Sequence, residues 1–207
     1  MTEDEAKLLL GVRRETGDRL SGFVDLLVNE NERQNLVSRG TVAEVWSRHV
    51  LDSGQLLRFA PSGGEWLDLG TGAGFPGLIV AALWSGNVTM VESRKLRVEF
   101  LCRGAEVLGV SGRTTILCSR VEAVPPKSFD VISARAFAPL DKLLRLALPF
   151  STPETVWILP KGRNAKSELE AARFSWQGDF RIEPSLTDAD AGIIVARGVK
   201  PKGAKGR

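Results

Sequence analysis

The chain has 207 residues, which suits one good-sized domain with an extension and excludes a large multidomain assembly. Hydrophobic residues make up 43% and charged residues 26%, a globular composition that excludes a disordered or fibrous chain. The net charge is +3, and the excess of bases lies in residues 197–207, which hold five bases and no acid. Residues 198–207 are therefore predicted to be a disordered basic tail, either attracted to phosphate or merely solubilising.

Several classes of protein are excluded by what the chain does not contain. The longest apolar run, Leu78 to Trp84, is seven residues long, well short of the ~20 that a membrane-spanning helix needs. The first residues do not resemble a secretion signal, so we expect a soluble cytoplasmic protein without membrane contact. Cys102 and Cys118 have no paired spacing and His49 is the only histidine, so neither a disulfide framework nor a metal site is expected.

Residues 1–60 are predicted to form an N-terminal helical extension. Apolar residues from Leu8 to Val28 recur at three- and four-residue spacings among charges. A further helix is predicted from Thr41 to Phe59, with Thr41 as its N-cap. The Pro- and Gly-containing break after residue 60 predicts a second unit, residues 61–197.

In this second unit short apolar runs alternate with helical stretches. Strands are predicted at Glu65–Leu69, Val88–Val91, Thr114–Leu117, Phe129–Ser133, Thr155–Leu159, 179–183 and 191–196, and helices at about 76–85, 94–108, 139–149 and 163–175. This alternation requires crossover connections, which predict an α/β fold with a mainly parallel seven-stranded sheet and helices on both faces. The short link between the last two strands predicts a hairpin, so the last strand should be antiparallel.

A glycine-rich loop follows the first predicted strand. Gly70, Gly72, Gly74 and Gly77 fall within eight residues, and Pro76 suits the first turn of the next helix. Glycines let a backbone turn sharply and approach a ligand, while a helix N-terminus presents unpaired amides. A plain strand-to-helix turn would need one glycine, so the loop predicts a binding site for a polar ligand.

Two acids help to choose the ligand, because the loop also satisfies the dinucleotide pattern GxGxxG. Glu92 lies 18 residues past Gly74, where a carboxylate suits the ribose hydroxyls of either NAD or S-adenosylmethionine. Asp68, just before the loop, would repel a pyrophosphate but suit the ammonium and sulfonium charges of S-adenosylmethionine, directly or through water. The acids favour S-adenosylmethionine, and a class I methyltransferase (Rossmann-like) topology fits the antiparallel last strand. An NAD-dependent oxidoreductase is the alternative enzyme.

Six motifs over roughly residues 30–165 carry a closer resemblance. They are, in chain order, His49-Val-Leu-Asp52-Ser53, Asp68-Leu-Gly-Thr-Gly-Ala-Gly-Phe-Pro-Gly77, Glu92-Ser-Arg-Lys-Leu-Arg97, Ser119-Arg-Val-Glu122, Ser133-Ala-Arg135-Ala-Phe137 and Leu159-Pro-Lys161-Gly162. Together they resemble the bacterial small-subunit ribosomal RNA methyltransferase G family, also called GidB. The resemblance implies methyl transfer from S-adenosylmethionine to N(7) of one guanine in 16S ribosomal RNA, near the decoding site.

The resemblance also implies residue roles. It puts Gly70, Phe75, Val121, Glu122 and Arg135 against the cofactor. In this position Arg135 suits a methionine carboxylate or an RNA phosphate, and a surface salt bridge is the alternative.

Other residues are candidates by position. Lys161, at the end of the fifth strand, is predicted to meet RNA, as is Arg94. His49 is more plausible as a packed residue than as a catalyst, and Asp52 and Ser53 are expected to form one wall of a guanine pocket. Phe75, Phe137 and Trp46 are the aromatic candidates for base stacking, but core packing is favoured for Trp46.

The predicted reaction needs no general base, since guanine N(7) has a lone pair in its neutral form. Arg135, Lys161 and His49 are then positioning candidates, and no metal is implied. The expected partner is 16S ribosomal RNA or the small subunit, acted on by a monomer. The alternatives are methylation of another RNA, or a non-catalytic RNA-binding or ribosome-assembly module.

Overall fold

The computed structural model describes residues 1–203, and a seven-stranded sheet forms its centre. The strands are β1 (Glu65–Leu69), β2 (Asn87–Glu92), β3 (Thr114–Cys118), β4 (Val131–Ser133), β5 (Val156–Gly162), β6 (Trp176–Pro184) and β7 (Gly192–Pro201). Their order across the sheet is β3-β2-β1-β4-β5-β7-β6. β7 is antiparallel to both β5 and β6, and the other pairings are parallel. The predicted topology is confirmed.

Helices cover both faces of this sheet. They are α1 (Glu3–Leu10), α2 (Arg14–Gln34), α3 (Arg39–Val42), α4 (Asp52–Gly54), α5 (Gly77–Leu83), α6 (Lys95–Leu108), α7 (Leu140–Ala147) and α8 (Ala165–Ala172). Neighbouring residues of β1 serve opposite faces, since Trp66 packs in the core under α2, α5 and α6 while Leu67 packs in the core under α7 and α8. The N-terminal helices thus share a continuous core with the sheet. In residues 1–203 no helix combines the length and apolarity needed to cross a bilayer.

The single helix predicted from Thr41 to Phe59 is wrong. The segment is broken into α3, a π turn at Trp46–Leu51, α4 and a 3₁₀ turn at Gln55–Phe59. Thr41 is not an N-cap, because its hydroxyl bonds the Ser38 carbonyl (2.9 Å) and His49 Nε2 (3.0 Å). A π turn shifts the register of the side chains that follow it, a feature frequent at functional sites.

The predicted start of the basic tail is also wrong. β7 continues to Pro201, so residues 198–201 are strand, and Gln177 and Trp176 of β6 pair with Lys200 and Pro201. This strand pairing is stabilised because Val199 and Trp176 are buried in the core under α7 and α8. The composition of residues 198–207 alone gives no sign of this long-range packing. Residues 204–207 of the predicted tail lie outside the described residues.

Candidate cofactor and substrate site

Two cavities open where the parallel strands end at their carboxyl termini. The Glu92 cavity, about 410 Å³, is lined chiefly by residues that follow β1, β2 and β3, among them Gly70, Glu92, Val121 and Glu122. The Arg135 cavity, about 650 Å³, is lined by the ends of β4 and β5, by Arg48 and Asp52, and by the loop between β6 and β7. Ala136, Phe137 and Ala138 line both cavities. The Ala136–Ala138 segment is therefore the wall that the two cavities share.

Asp68 holds the glycine loop in place through buried hydrogen bonds. Its carboxylate is fully buried, and Oδ2 accepts the Gly77 amide at the start of α5 (2.9 Å) while Oδ1 accepts the Ser133 hydroxyl (2.7 Å). Burial raises the pKa of Asp68, although these hydrogen bonds oppose the shift. Its predicted direct contact with the charges of the cofactor is therefore replaced by a positioning role, in which it joins β1, β4 and α5.

Gly70 is the glycine whose position in the loop matters most to the Glu92 cavity. It has φ +67°, and a Cβ there would overlap Cδ2 of Phe137. Gly72 and Gly74 also have positive φ, but neither lines either cavity of the described chain. They shape the loop, and Gly70 provides the close backbone approach that the sequence predicted for all of them.

The Phe75 and Trp46 side chains are both buried in the core. Phe75 is 3% exposed, and its ring packs on His49 (centroids 5.0 Å apart) and Phe23 (5.9 Å). Trp46 is buried in the same core. This burial fits the core packing favoured for Trp46, whereas the implied contact of Phe75 with the cofactor stays a prediction. Phe137 is the stacking candidate that reaches the cavities.

Glu92 ends β2 at the wall of its cavity. Its Oε1 accepts the Arg94 amide (2.9 Å), and Arg97 Nη1 lies 3.7 Å from Oε2. The side chain is 6% exposed, so a diol that enters the cavity would meet a nearly dehydrated acceptor. Val121, buried, and Glu122, exposed, line the same cavity, and their contact with the cofactor stays a prediction.

Arg135 lines the neighbouring cavity, not the one that holds Glu92. Its Nη1 donates to the Arg48 carbonyl (3.1 Å) and to Asp52 Oδ2 (3.3 Å), and its Nη2 lies 3.1 Å from His49 Nδ1. Its guanidinium also lies over the Phe75 ring, 5.3 Å from the centroid. The arginine is thus held by the N-terminal extension at the wall of the Arg135 cavity, and its implied contact with the cofactor stays a prediction.

His49 is a packed, neutral residue of this network. Burial, and then the positive charges of Arg135 and Arg48, lower the pKa of His49 to about 4. Because Arg135 donates toward Nδ1, we assign the ring proton to Nε2, which donates to Thr41. The expectation that His49 is a packed residue fits this environment.

Lys161 lines the Arg135 cavity, but its ammonium group is bonded within the protein. Its side chain is 7% exposed, and Nζ donates to the Ala138 carbonyl (2.7 Å) and pairs with Glu168 Oε2 (3.0 Å). The same Glu168 oxygen accepts the Leu140 amide at the start of α7 (2.7 Å). Lys161 therefore anchors the segment that separates the cavities, and its contact with RNA stays a prediction, which this burial of the ammonium group does not favour. Arg94 is exposed at the rim of the Glu92 cavity.

The sequence did not predict three polar residues that line the Arg135 cavity or hold its lining in place. They are Gln55, Ser185 and Thr187. Gln55 and Ser185 are 130 positions apart, so no local pattern links them. The one sequence signal for this cluster was Gln55, a polar residue within an apolar helical stretch. Within residues 1–203 no group of three or more His, Cys, Asp or Glu side chains is arranged to hold a metal ion.

Solved structures share this fold. The O-methyltransferase from Bacillus cereus in complex with SAH matches with a TM-score of 0.62 at 15% identity, over 94% of this chain and 96% of that one. Ribosomal protein L11 methylase from Lactobacillus delbrueckii subsp. bulgaricus matches with a TM-score of 0.60 at 17% identity, over 72% of this chain and 78% of that one. At such identities the likeness supports the fold alone.

Sequence relatives are much closer. "Ribosomal RNA small subunit methyltransferase G" of Zymomonas mobilis is 52% identical over 99% of this chain and 98% of its own length. The protein of the same name from Rhizorhabdus wittichii is 50% identical over 100% and 99%. The family model GidB, described as rRNA small subunit methyltransferase G, matches residues 17–192. The chain therefore belongs to the GidB family.

Proposed function

We propose that this protein transfers the methyl group of S-adenosylmethionine to N(7) of one guanine in 16S ribosomal RNA. It is an rRNA methyltransferase with a class I fold, and S-adenosylmethionine is its cofactor. The observation that carries the proposal is the pair of cavities that meet at Ala136–Ala138. One cavity suits the cofactor and the other a base, and the shared segment is where a methyl group would pass between them.

The cofactor suits the Glu92 cavity. The Glu92 carboxylate accepts the two ribose hydroxyls, and the backbone of Val121 with Glu122 is suited to the adenine edge. Gly70 allows the cofactor to approach the end of β1, which a side chain would block. Asp68 keeps this loop in place from its buried position. When bound, the cofactor supplies a methyl group on a sulfonium.

The target guanine suits the Arg135 cavity. Phe137 offers an aromatic face to a base that has left its stack. Arg135 has two N–H donors beyond those bonded to Arg48, Asp52 and His49, and guanine O6 or a phosphate oxygen is a suitable acceptor for them. This supports a base pocket that abuts the cofactor.

The chemistry is a displacement that needs alignment and no proton removal. The N(7) lone pair would form the new bond to the methyl carbon as the electron pair of the carbon–sulfur bond goes to sulfur, which would leave S-adenosylhomocysteine and a cationic 7-methylguanine. The protein contributes the in-line arrangement of nucleophile, carbon and sulfur. A neutral His49, bonded to both Thr41 and Arg135, agrees with a site in which no histidine acts as base.

The test is transfer of labelled methyl from S-adenosylmethionine to small ribosomal subunits from cells lacking this protein. Cleavage chemistry specific for 7-methylguanine then locates the label. We expect one labelled guanine in 16S ribosomal RNA, and the same assay on naked RNA identifies the preferred substrate. Label on another base, on protein, or on other RNA alone would contradict the proposal.

A further inference from the structure

The loop between β6 and β7, residues 185–191, is tied to the N-terminal extension across the Arg135 cavity. Gln55 Oε1 accepts the Leu186 amide (2.7 Å), and Gln55 Nε2 donates to the Ser185 hydroxyl (3.2 Å). Gln55 is a buried polar residue, so these bonds are made away from water. The loop that walls the cavity is thereby held by the helical segment that carries Arg48 and Asp52.

Asp52 contacts both the hydrogen bonds that hold the 185–191 loop and the side chain of Arg135. Its Oδ1 accepts from Thr187 Oγ1 (3.0 Å) and from Gln55 Nε2 (2.9 Å), whereas its Oδ2 accepts from Arg135 Nη1 (3.3 Å). One oxygen therefore faces the loop and the other faces the arginine. Two donors fix the orientation of the carboxylate before Arg135 binds it.

We infer that Asp52 is a positioning residue that holds Arg135 against the base pocket, with the 185–191 loop as its anchor. An arginine side chain has many rotamers, and a fixed carboxylate selects the one that directs its remaining donors into the cavity. Three donors already occupy the Asp52 carboxylate, so we place its effect on methyl transfer in the orientation of Arg135. The kinetic part of this inference rests on the proposed methyl transfer.

The variant that isolates the contact is Asp52→Asn. The amide oxygen still accepts from Thr187 and Gln55, while the amide nitrogen that replaces Oδ2 offers no acceptor to Arg135. Asp141→Asn is the control, since Asp141 also forms an ion pair with an arginine, Arg145 (3.0 Å), but lines neither cavity.

The kinetic readout is single-turnover methyl transfer to small subunits, combined with Arg135→Ala in a double-mutant cycle. We expect Asp52→Asn to slow transfer about tenfold, with affinity for S-adenosylhomocysteine unchanged within about twofold, and to cause no further loss in the Arg135→Ala background. Losses that multiply, or an equal loss of cofactor affinity, would overturn the inference.

A second readout does not depend on RNA. His49 is the only histidine, so its titration is read directly by NMR. Removal of the Asp52 charge would by itself lower the pKa of His49, whereas displacement of Arg135 would raise it. We expect a rise of about half a unit or more in Asp52→Asn and none in Asp141→Asn. A fall in the pKa of His49 in Asp52→Asn would refute the positioning role. A rise in this pKa, together with no methyl transfer by the native protein, would refute only the proposed reaction.

Discussion

The Phe137 ring occupies the space where a Cβ of Gly70 would be. The glycine ends β1, and the phenylalanine lies in the segment after β4, so the contact closes the gap between two adjacent parallel strands. Phe137 is held there by a backbone that includes Ala136 in the left-handed region, at φ +50°. A non-glycine residue in this region is uncommon and is a feature of functional sites. The wall between the two cavities is thus a strained and closely fitted structure.

Gly70→Ala should reduce both stability and cofactor affinity. The left-handed backbone alone costs about 1–2 kcal/mol for a residue with a Cβ. Gly198→Ala is the matched control, because Gly198 has a similar φ of +59° but open space around its Cβ. We expect both variants to lose stability in urea unfolding and only Gly70→Ala to lose S-adenosylhomocysteine affinity in calorimetry. If the two variants bound S-adenosylhomocysteine equally well, the Phe137 ring would have moved away from the new Cβ without disturbing the cofactor site.

Glu92→Ala should weaken S-adenosylhomocysteine binding by about 1–3 kcal/mol, because two ribose hydroxyls lose a charged acceptor. Titration calorimetry measures this directly. Glu122→Ala is the comparison, since Glu122 lines the same cavity but is exposed. We expect this variant to lose less binding free energy than Glu92→Ala. If Glu92→Ala bound as tightly as the native protein, the ribose role would have to be abandoned.

Stability should depend on pH through His49. Its pKa is about 4 in the folded protein against an ordinary 6.5, so the unfolded chain binds a proton that the folded protein does not. The free energy of unfolding therefore falls as pH drops from about 6.5 toward 4.

The measurement is urea unfolding at pH 7 and pH 5.5 of the native protein and His49→Gln. The carboxyl groups with lowered pKa, such as Glu65 and Glu30, lose their contributions only at lower pH. We expect the native protein to lose more stability over this interval than His49→Gln. The same loss in both would mean that His49 does not titrate as its surroundings indicate.

Lys161→Met should act on stability and not on RNA affinity. It leaves the Ala138 carbonyl and the Glu168 carboxylate without their shared donor, and we expect a loss of about 1–3 kcal/mol. Lys166→Met, on the exposed side of α8, is the control and should change stability by less than about 0.5 kcal/mol. Thermal unfolding and the salt dependence of RNA binding separate the effects. A smaller salt slope in Lys161→Met would support its predicted RNA contact.

Sequence reasoning succeeded where the signal was local. The Trp66–Leu69 run followed by glycines predicted the β1 to α5 turn, and the alternation after it predicted the sheet, because period and turn chemistry are properties of neighbouring residues. It failed between Thr41 and Phe59, where the helix is broken and side chains bond instead, His49 to Thr41 and Thr187 to Asp52. It also failed at residues 198–201, whose strand exists through pairing with β6.

Motif order alone was sufficient for the family, the cofactor class and the α/β fold, since each depends on residues close together in the chain. Placement of the side chains depended on contacts between distant segments. Asp68 and Lys161 look alike in sequence, as charged residues at strand ends, and burial makes both of them anchors. Arg135 is directed into the second cavity by Asp52, 83 positions away. Burial and long-range hydrogen bonds arise only when the chain has folded, so the tertiary structure alone decides which polar residues face a ligand.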